Sequence, residues 1–233
     1  MTIRLVSLDM AGTTIAEQGT VYAVLRSTVE NATGRAIGDE LLSKWGGTSK
    51  HAAIGGLLDE LGEDTSRQDE LFEVFRGTLR ETYLRDQPTI IPGVRDAVAS
   101  LRAAGVKIAL QTGYSRDVAK LLLEIVGWTV GGADADVDAL VTSDEVPASR
   151  PAPFLVFRGM ELTGVASVDE VLVAGDTAND LGAGIAAGVR YVVGVLTGAY
   201  TAEKLGRHRH THLLPSVADI PALLAADGEL PAA

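Results

Sequence analysis

The sequence predicts an α/β fold, a parallel sheet wrapped by helices and interrupted once by an all-helical insertion. Three observations carry this. Short apolar runs alternate with helix-period segments after residue 90, the pattern that builds parallel sheets through crossover helices. An apolar run near the N-terminus ends on a carboxylate, Asp9. Between the two, residues 16–88 hold helical patterns and no convincing strand.

Taken in order, Ile3, Leu5, Val6 and Leu8 read as a buried strand, with Asp9 at its end and Gly12, Thr13 and Thr14 as a polar turn. Helical spacing of apolar residues then recurs over Val21–Glu30, Glu40–Trp45, Lys50–Leu61 and Asp69–Leu84. The crossings into and out of this block fall near Thr14–Gly19 and Arg85–Thr89. Pro92-Gly93 opens a helix with Val94, Ala97, Val98 and Leu101 on one face, and Gly105 ends it before the strand Val106–Leu110. A helix over Ser115–Ile125, a strand over Ala139–Thr142 and a helix starting near Pro151 follow. Val171–Ala174 and Tyr191–Val195 are further strands, and His212–Leu214 a short last one. The expected division is an α/β core, residues 1–15 and 89–233, carrying a helical cap, residues 16–88. Such a cap can close over the strand ends and exclude water.

Composition bounds the function. A chain of 233 residues with 46% hydrophobic content buries a sizeable core. No apolar run reaches the ~18 residues of a membrane span, and Asp9 interrupts the segment a signal peptide would need. The absence of cysteine excludes a disulfide framework, a thiolate metal site and a thiol nucleophile. A cytoplasmic location is the expectation. A formal net charge of −11 argues against nucleic acid as a partner, because phosphate backbones are held by basic patches.

Four polar stretches fall at or just after strand ends, so a parallel sheet gathers them along one edge. They are Asp9 with Gly12-Thr13, Gln111-Thr112-Gly113-Tyr114, Ser149-Arg150-Pro151, and Gly175-Asp176-Thr177-Ala178-Asn179-Asp180. Aspartates from different strands suit a hard cation such as Mg2+. Thr112, the Gly113 amide and the Arg150 cation suit phosphoryl oxygens. Asp9 is then the group that attacks phosphorus to form an aspartyl-phosphate.

These stretches, in this order and strand context, resemble the four motifs of the haloacid dehalogenase (HAD) superfamily, over nearly the whole chain. The resemblance implies a Rossmann-like core with an inserted cap, Mg2+ as cofactor, and a metal set of Asp9, Ala11, Asp176 and Asp180. It implies substrate contacts from Thr13, Thr112, Gly113, Tyr114 and Arg150. Within the superfamily the chain is most similar to the phosphonoacetaldehyde hydrolase (phosphonatase) group. Ala11 stands where the superfamily's phosphatases carry a second Asp, Arg150 where most members carry Lys, and Thr112-Gly113-Tyr114 matches. Lys50, in Gly46-Gly47-Thr48-Ser49-Lys50, stands where that group carries its Schiff-base lysine.

Chemistry connects Ala11 with Lys50. A phosphate ester leaves as an alkoxide, which a general acid two residues from the nucleophile can protonate. A phosphonate leaves through carbon, and a bare carbanion is too basic to depart. A lysine that condenses with a neighbouring aldehyde gives an iminium, which accepts the electrons as an enamine. The expected function is therefore Mg2+-dependent hydrolysis of a small phosphonate or other phosphorylated metabolite, with Asp9 and Lys50 as catalytic residues. A phosphomonoesterase of the same fold is the alternative, Lys50 then being only a substrate contact. A non-catalytic phosphate-binding protein is a third reading, opposed by the retention of Asp9, Asp176 and Asp180. The resemblance also suggests a homodimer through the cap.

The chain departs from the group around its lysine. It has no cysteine, Gly46 where a methionine stands, and Ala53 rather than histidine three residues after Lys50; His51 points elsewhere on a helix. The resemblance also leaves no acid at position 11 to activate water. Two other clusters read as surface. His208, His210 and His212 alternate with Arg207 and Arg209, whose charges repel a cation. Asp134, Asp136, Asp138 and Glu145 have calcium-loop spacing, but Ala139 stands where that loop turns on glycine.

Overall fold

The computed structural model describes residues 2–230. Its elements run β1 (Leu5–Asp9), β2 (Ile15–Ala16), α1 (Thr20–Thr33), α2 (Asp39–Lys44), α3 (Lys50–Leu61), α4 (Gln68–Asp86) and β3 (Thr89–Ile90). They continue with α5 (Val94–Ala103), β4 (Lys107–Thr112), α6 (Arg116–Val126), β5 (Ala139–Thr142), α7 (Phe154–Thr163), β6 (Val171–Gly175), α8 (Ala178–Ala187), β7 (Tyr191–Val195), α9 (Ala202–Gly206), β8 (His212–Leu214) and α10 (Ile220–Ala226).

Six strands form one parallel sheet in the order β5-β4-β1-β6-β7-β8. The chain builds outward from β1 through β4 to β5, then returns to the other side of β1 for β6, β7 and β8. Such a reversal opens a crevice at the carboxyl ends of the strands around β1. That is where Asp9, Thr112 and Asp176 emerge.

Apart from Lys107 at the start of β4, the strands β1, β4, β6 and β7 are buried along their length, which is why they read as continuous apolar runs. Their alternate residues feed two cores. Val6, Leu8, Ile108 and Leu110 join one apolar cluster, which runs on into Leu25, Leu57 and Phe75 of the helical segment. Leu5, Ala109 and Val173 join the other, under Val156 of α7 and Leu181 of α8.

Helices α1, α3 and α4 pack on one another, and α4 is tied to α6 by Arg76 and Arg80, which face Asp117 at 3.6 Å. Both crossings between sheet and helices carry a feature the sequence pattern misses. β2 and β3 pair antiparallel, Ile15 with Ile90 and Ala16 with Thr89. A two-residue strand is too short to show a period. The helix expected near Pro151 begins at Phe154, after a turn through Pro151–Pro153. Among the described residues, no helix is long and apolar enough to cross a membrane.

Candidate active site

Asp9 ends β1 on the face that also carries Leu5 and Ser7, and is buried to 5% exposure. Asp176 follows β6 directly, and Asp180 lies in the first turn of α8. The turn folds this way because Thr177 and Asp180 form a reciprocal capping box: the Thr177 hydroxyl accepts from the Asp180 amide, and Asp180 Oδ2 accepts from the Thr177 amide at 3.0 Å. One oxygen from each of Asp9, Asp176 and Asp180 lies within 4.8 Å of the others.

Burial and mutual repulsion act on this triad. Burial, with Asp180 adding, pushes Asp9 up to about 6 against the pull of Arg150. Burial, Asp180 and Asp9 together push Asp176 up to about 8. Arg150 Nη1 donates to Asp9 Oδ1 at 2.7 Å and also bonds Asp180 Oδ1. One guanidinium against three buried carboxylates leaves negative charge uncompensated. An all-oxygen set of this kind fits a hard divalent cation. Ala11 can add only its main-chain carbonyl, which accepts no hydrogen bond among the described residues. Asp176 is aimed by two donors, Thr13 Oγ1 at 3.0 Å and the Ala199 amide at 2.7 Å.

Lys50 comes from the helical segment. It opens α3 behind Ser49, whose side chain caps the Ala52 amide. The side chain is 5% exposed. Its Nζ donates to the Thr48 carbonyl at 3.0 Å and lies 5.3 Å from the Tyr22 ring and 5.7 Å from the Tyr114 ring. No carboxylate pairs with it among the described residues. Burial, with Arg150 adding, pulls its pKa down to about 8, so the neutral amine is within reach near neutral pH.

The segment Gly46–Lys50 is clamped onto the sheet edge. Asn179 Nδ2 donates to the Gly46 carbonyl at 2.6 Å, and the Lys50 amide reaches the Gly113 carbonyl at 3.4 Å. The Gly47 amide donates to the Tyr22 hydroxyl at 3.0 Å. Two glycines permit this approach. A Cβ at Gly47, where φ is +76°, runs into the Thr177 hydroxyl, and one at Gly113 runs into the Thr48 carbonyl.

Asp9, Ala11, Lys50, Thr112, Tyr114 and Arg150 thus face one chamber, closed down to about 20 Å3, room for roughly one water. Gly113 lines it too, while Asp176 borders an adjoining cavity of about 320 Å3. Thr13 lines neither; its hydroxyl is turned to Asp176. A larger cavity, about 420 Å3 beside Trp128, is remote from this chemistry. Its Arg95 and Arg102 are already paired with Asp136 and Asp138. Those pairs also take up Asp136 and Asp138, two of the three aspartates of the calcium-like spacing. His208 and His210 are exposed or nearly so, and His212 stacks on Tyr191.

Sequence reasoning missed four residues here. Thr177 was findable, since Thr-x-x-Asp ahead of a helix is a capping signal. Tyr22 was not, because a tyrosine in an amphipathic helix reads as packing. Nor were Tyr83 and Glu17, which back Tyr114: the two phenols lie 2.7 Å apart and Tyr83 donates to Glu17 at 3.2 Å. Burial holds the Glu17 carboxyl above its ordinary range.

Residues 3–188 match the family model for haloacid dehalogenase-like hydrolases. A phosphonoacetaldehyde hydrolase of Parabacteroides distasonis is 41% identical over 131 residues, 56% of this chain and 47% of that protein. One from Bacillus cereus is 36% identical over 130 residues, with the same coverage. The chain spans about half the length of the curated relatives it matches. In fold, it resembles a phosphonoacetaldehyde hydrolase-like protein from Oleispira antarctica, with a TM-score of 0.83 and 20% identity over 99% of this chain and 96% of the other. A hydrolase from Pseudomonas syringae gives a TM-score of 0.80 and 23% identity over 97% and 99%.

Proposed function

The chain belongs to the haloacid dehalogenase-like hydrolases, and from that premise we infer that it cleaves the carbon–phosphorus bond of a small phosphonate bearing a carbonyl. The observation that carries this reading is Lys50: a buried amine, unpaired with any described carboxylate, in the same chamber as Asp9 and Arg150.

The amine condenses with the substrate carbonyl, releasing water and leaving an iminium beside the phosphoryl group. Asp9 attacks phosphorus, and the electrons of the breaking carbon–phosphorus bond move into the iminium to give an enamine. The phosphoryl group is then on Asp9, held by Arg150 and Thr112. Water cleaves this aspartyl-phosphate to phosphate, while the enamine takes a proton and hydrolyses from Lys50. A bound Mg2+, held by Asp9, Asp176, Asp180 and the Ala11 carbonyl, supplies charge neutralisation for the approach of two anions. Thr13 keeps Asp176 aimed for that role. The helical segment, residues 16–88, acts as a cap that must swing away for substrate, since the closed chamber holds about one water.

Incubation with phosphonoacetaldehyde and borohydride, followed by peptide mass spectrometry, tests this. A reduced two-carbon adduct on Lys50 is expected. No adduct, with phosphate-ester turnover surviving in Lys50→Ala, reassigns the chain to phosphomonoester hydrolysis.

The metal reading has its own test. Mg2+ at a hundredfold excess over its dissociation constant is expected to raise the thermal midpoint by roughly 5–10 °C at pH 8. The shift should fade toward pH 5, where Asp9 and Asp176, raised to about 6 and about 8, hold protons instead. A shift that is absent at pH 8, or equal at both pH values, counts against a metal on these carboxylates.

A further inference from the structure

Ala11 puts a methyl where a carboxylic acid would offer the chamber a proton donor. Tyr22 stands in the same wall. Ala11 and Tyr22 are the two residues shared by the chamber of Asp9, Lys50 and Arg150 and the adjoining cavity bordered by Asp176 and Glu17. The Tyr22 oxygen accepts the Gly47 amide hydrogen at 3.0 Å. A phenol carries one proton of its own, and no acceptor takes it among the described residues. The Lys50 ammonium, 5.3 Å from the ring, gives its hydrogen bond to the Thr48 carbonyl. The phenol oxygen is therefore fixed by the amide it accepts from, and its own proton is left without an acceptor among the described residues.

Resting on the reading that a phosphoryl group binds between Asp9 and Arg150, we propose that Tyr22 is a further substrate-contacting residue, its hydroxyl donating a hydrogen bond to a phosphoryl oxygen. It takes over the donor side of the missing acid and transfers no proton. The arrangement also ties two events together. The Gly47 amide that orients the phenol belongs to the segment carrying Lys50, so the donor is set only when Lys50 is in place. An aromatic residue on α1 thereby joins amine and phosphoryl sites that come from different parts of the fold.

The test is Tyr22→Phe, which keeps the ring over Lys50 and removes the hydroxyl. Binding of inorganic phosphate with Mg2+, measured by calorimetry, should weaken about 10- to 100-fold, the effect of one hydrogen bond to a charged group. The rate at which acetaldehyde and cyanoborohydride alkylate Lys50 should not change, because this phosphorus-free probe reports only the Gly46–Lys50 segment. Unchanged phosphate affinity overturns the proposal. A fall in both measurements also overturns it, since Tyr22 then acts by anchoring Gly47. Failure of the unmutated protein to bind phosphate sinks the phosphoryl-site reading itself, a result distinct from either of these.

Discussion

Asp9→Asn is expected to cut phosphate release by about 10^4-fold or more while leaving the fold intact. Asparagine keeps the shape of the side chain, and its amide oxygen still accepts from Arg150. It cannot form an acyl phosphate. The same change should not weaken the metal-free protein. The folded-state pKa of Asp9 is raised from 3.8 to about 6, so its ionisation costs stability as pH rises through that window. Asparagine removes the cost. Calorimetric scans with a chelator should give Asp9→Asn a midpoint equal to or above that of the parent at pH 7.5, with the gap closing toward pH 4. Turnover at the parental rate overturns Asp9 as nucleophile. Inactivity with a lowered midpoint reports a collapsed site instead.

Lys50→Met should reduce carbon–phosphorus cleavage by about 10^4-fold, because no other route disposes of the carbanion. Inorganic phosphate should still bind through Arg150 and Thr112, which separates loss of the amine from loss of the site. The parent's adduct formation on Lys50 should climb about tenfold per pH unit and flatten above about 8, where burial and Arg150 place the amine. Stability follows the same ionisation. The lysine pKa is lowered from 10.5 to about 8 on folding, so the unfolded chain binds more protons between these values. Stability from this group therefore rises with pH across about 8 to 10.5 and is lost below. Lys50→Met should abolish that rise in a denaturant series. A pH-independent rate of adduct formation from 6 to 9 is the result that rules out a buried amine as the reacting group.

The sheet was legible because its strands are buried on both faces and so appear as unbroken apolar runs, Val171–Ala174 and Tyr191–Val195 among them. The placement of Asp9, Thr112 and Asp176 at one edge of the sheet was legible because each follows or ends an apolar run. The β2–β3 pair was not, since Ile15–Ala16 and Thr89–Ile90 gain their pairing from residues more than seventy positions apart and show no local period. Lys50 could be picked out by resemblance, but not its burial, which depends on Tyr22 and Tyr114 from other segments. The same holds for the Tyr114–Tyr83–Glu17 chain. A hydrogen bond between distant helices leaves no spacing to read.

The two short strands β2 and β3 bind both crossings into one strap. The helical segment therefore enters and leaves the core side by side at this strap, while the Gly46–Lys50 clamp and the Arg76 and Arg80 pairs with Asp117 tie it to the sheet edge a second time. On the proposed mechanism, a swing of the helical segment pivots on the strap and parts the Gly46–Lys50 clamp, so the amine leaves the carboxylates each time substrate enters.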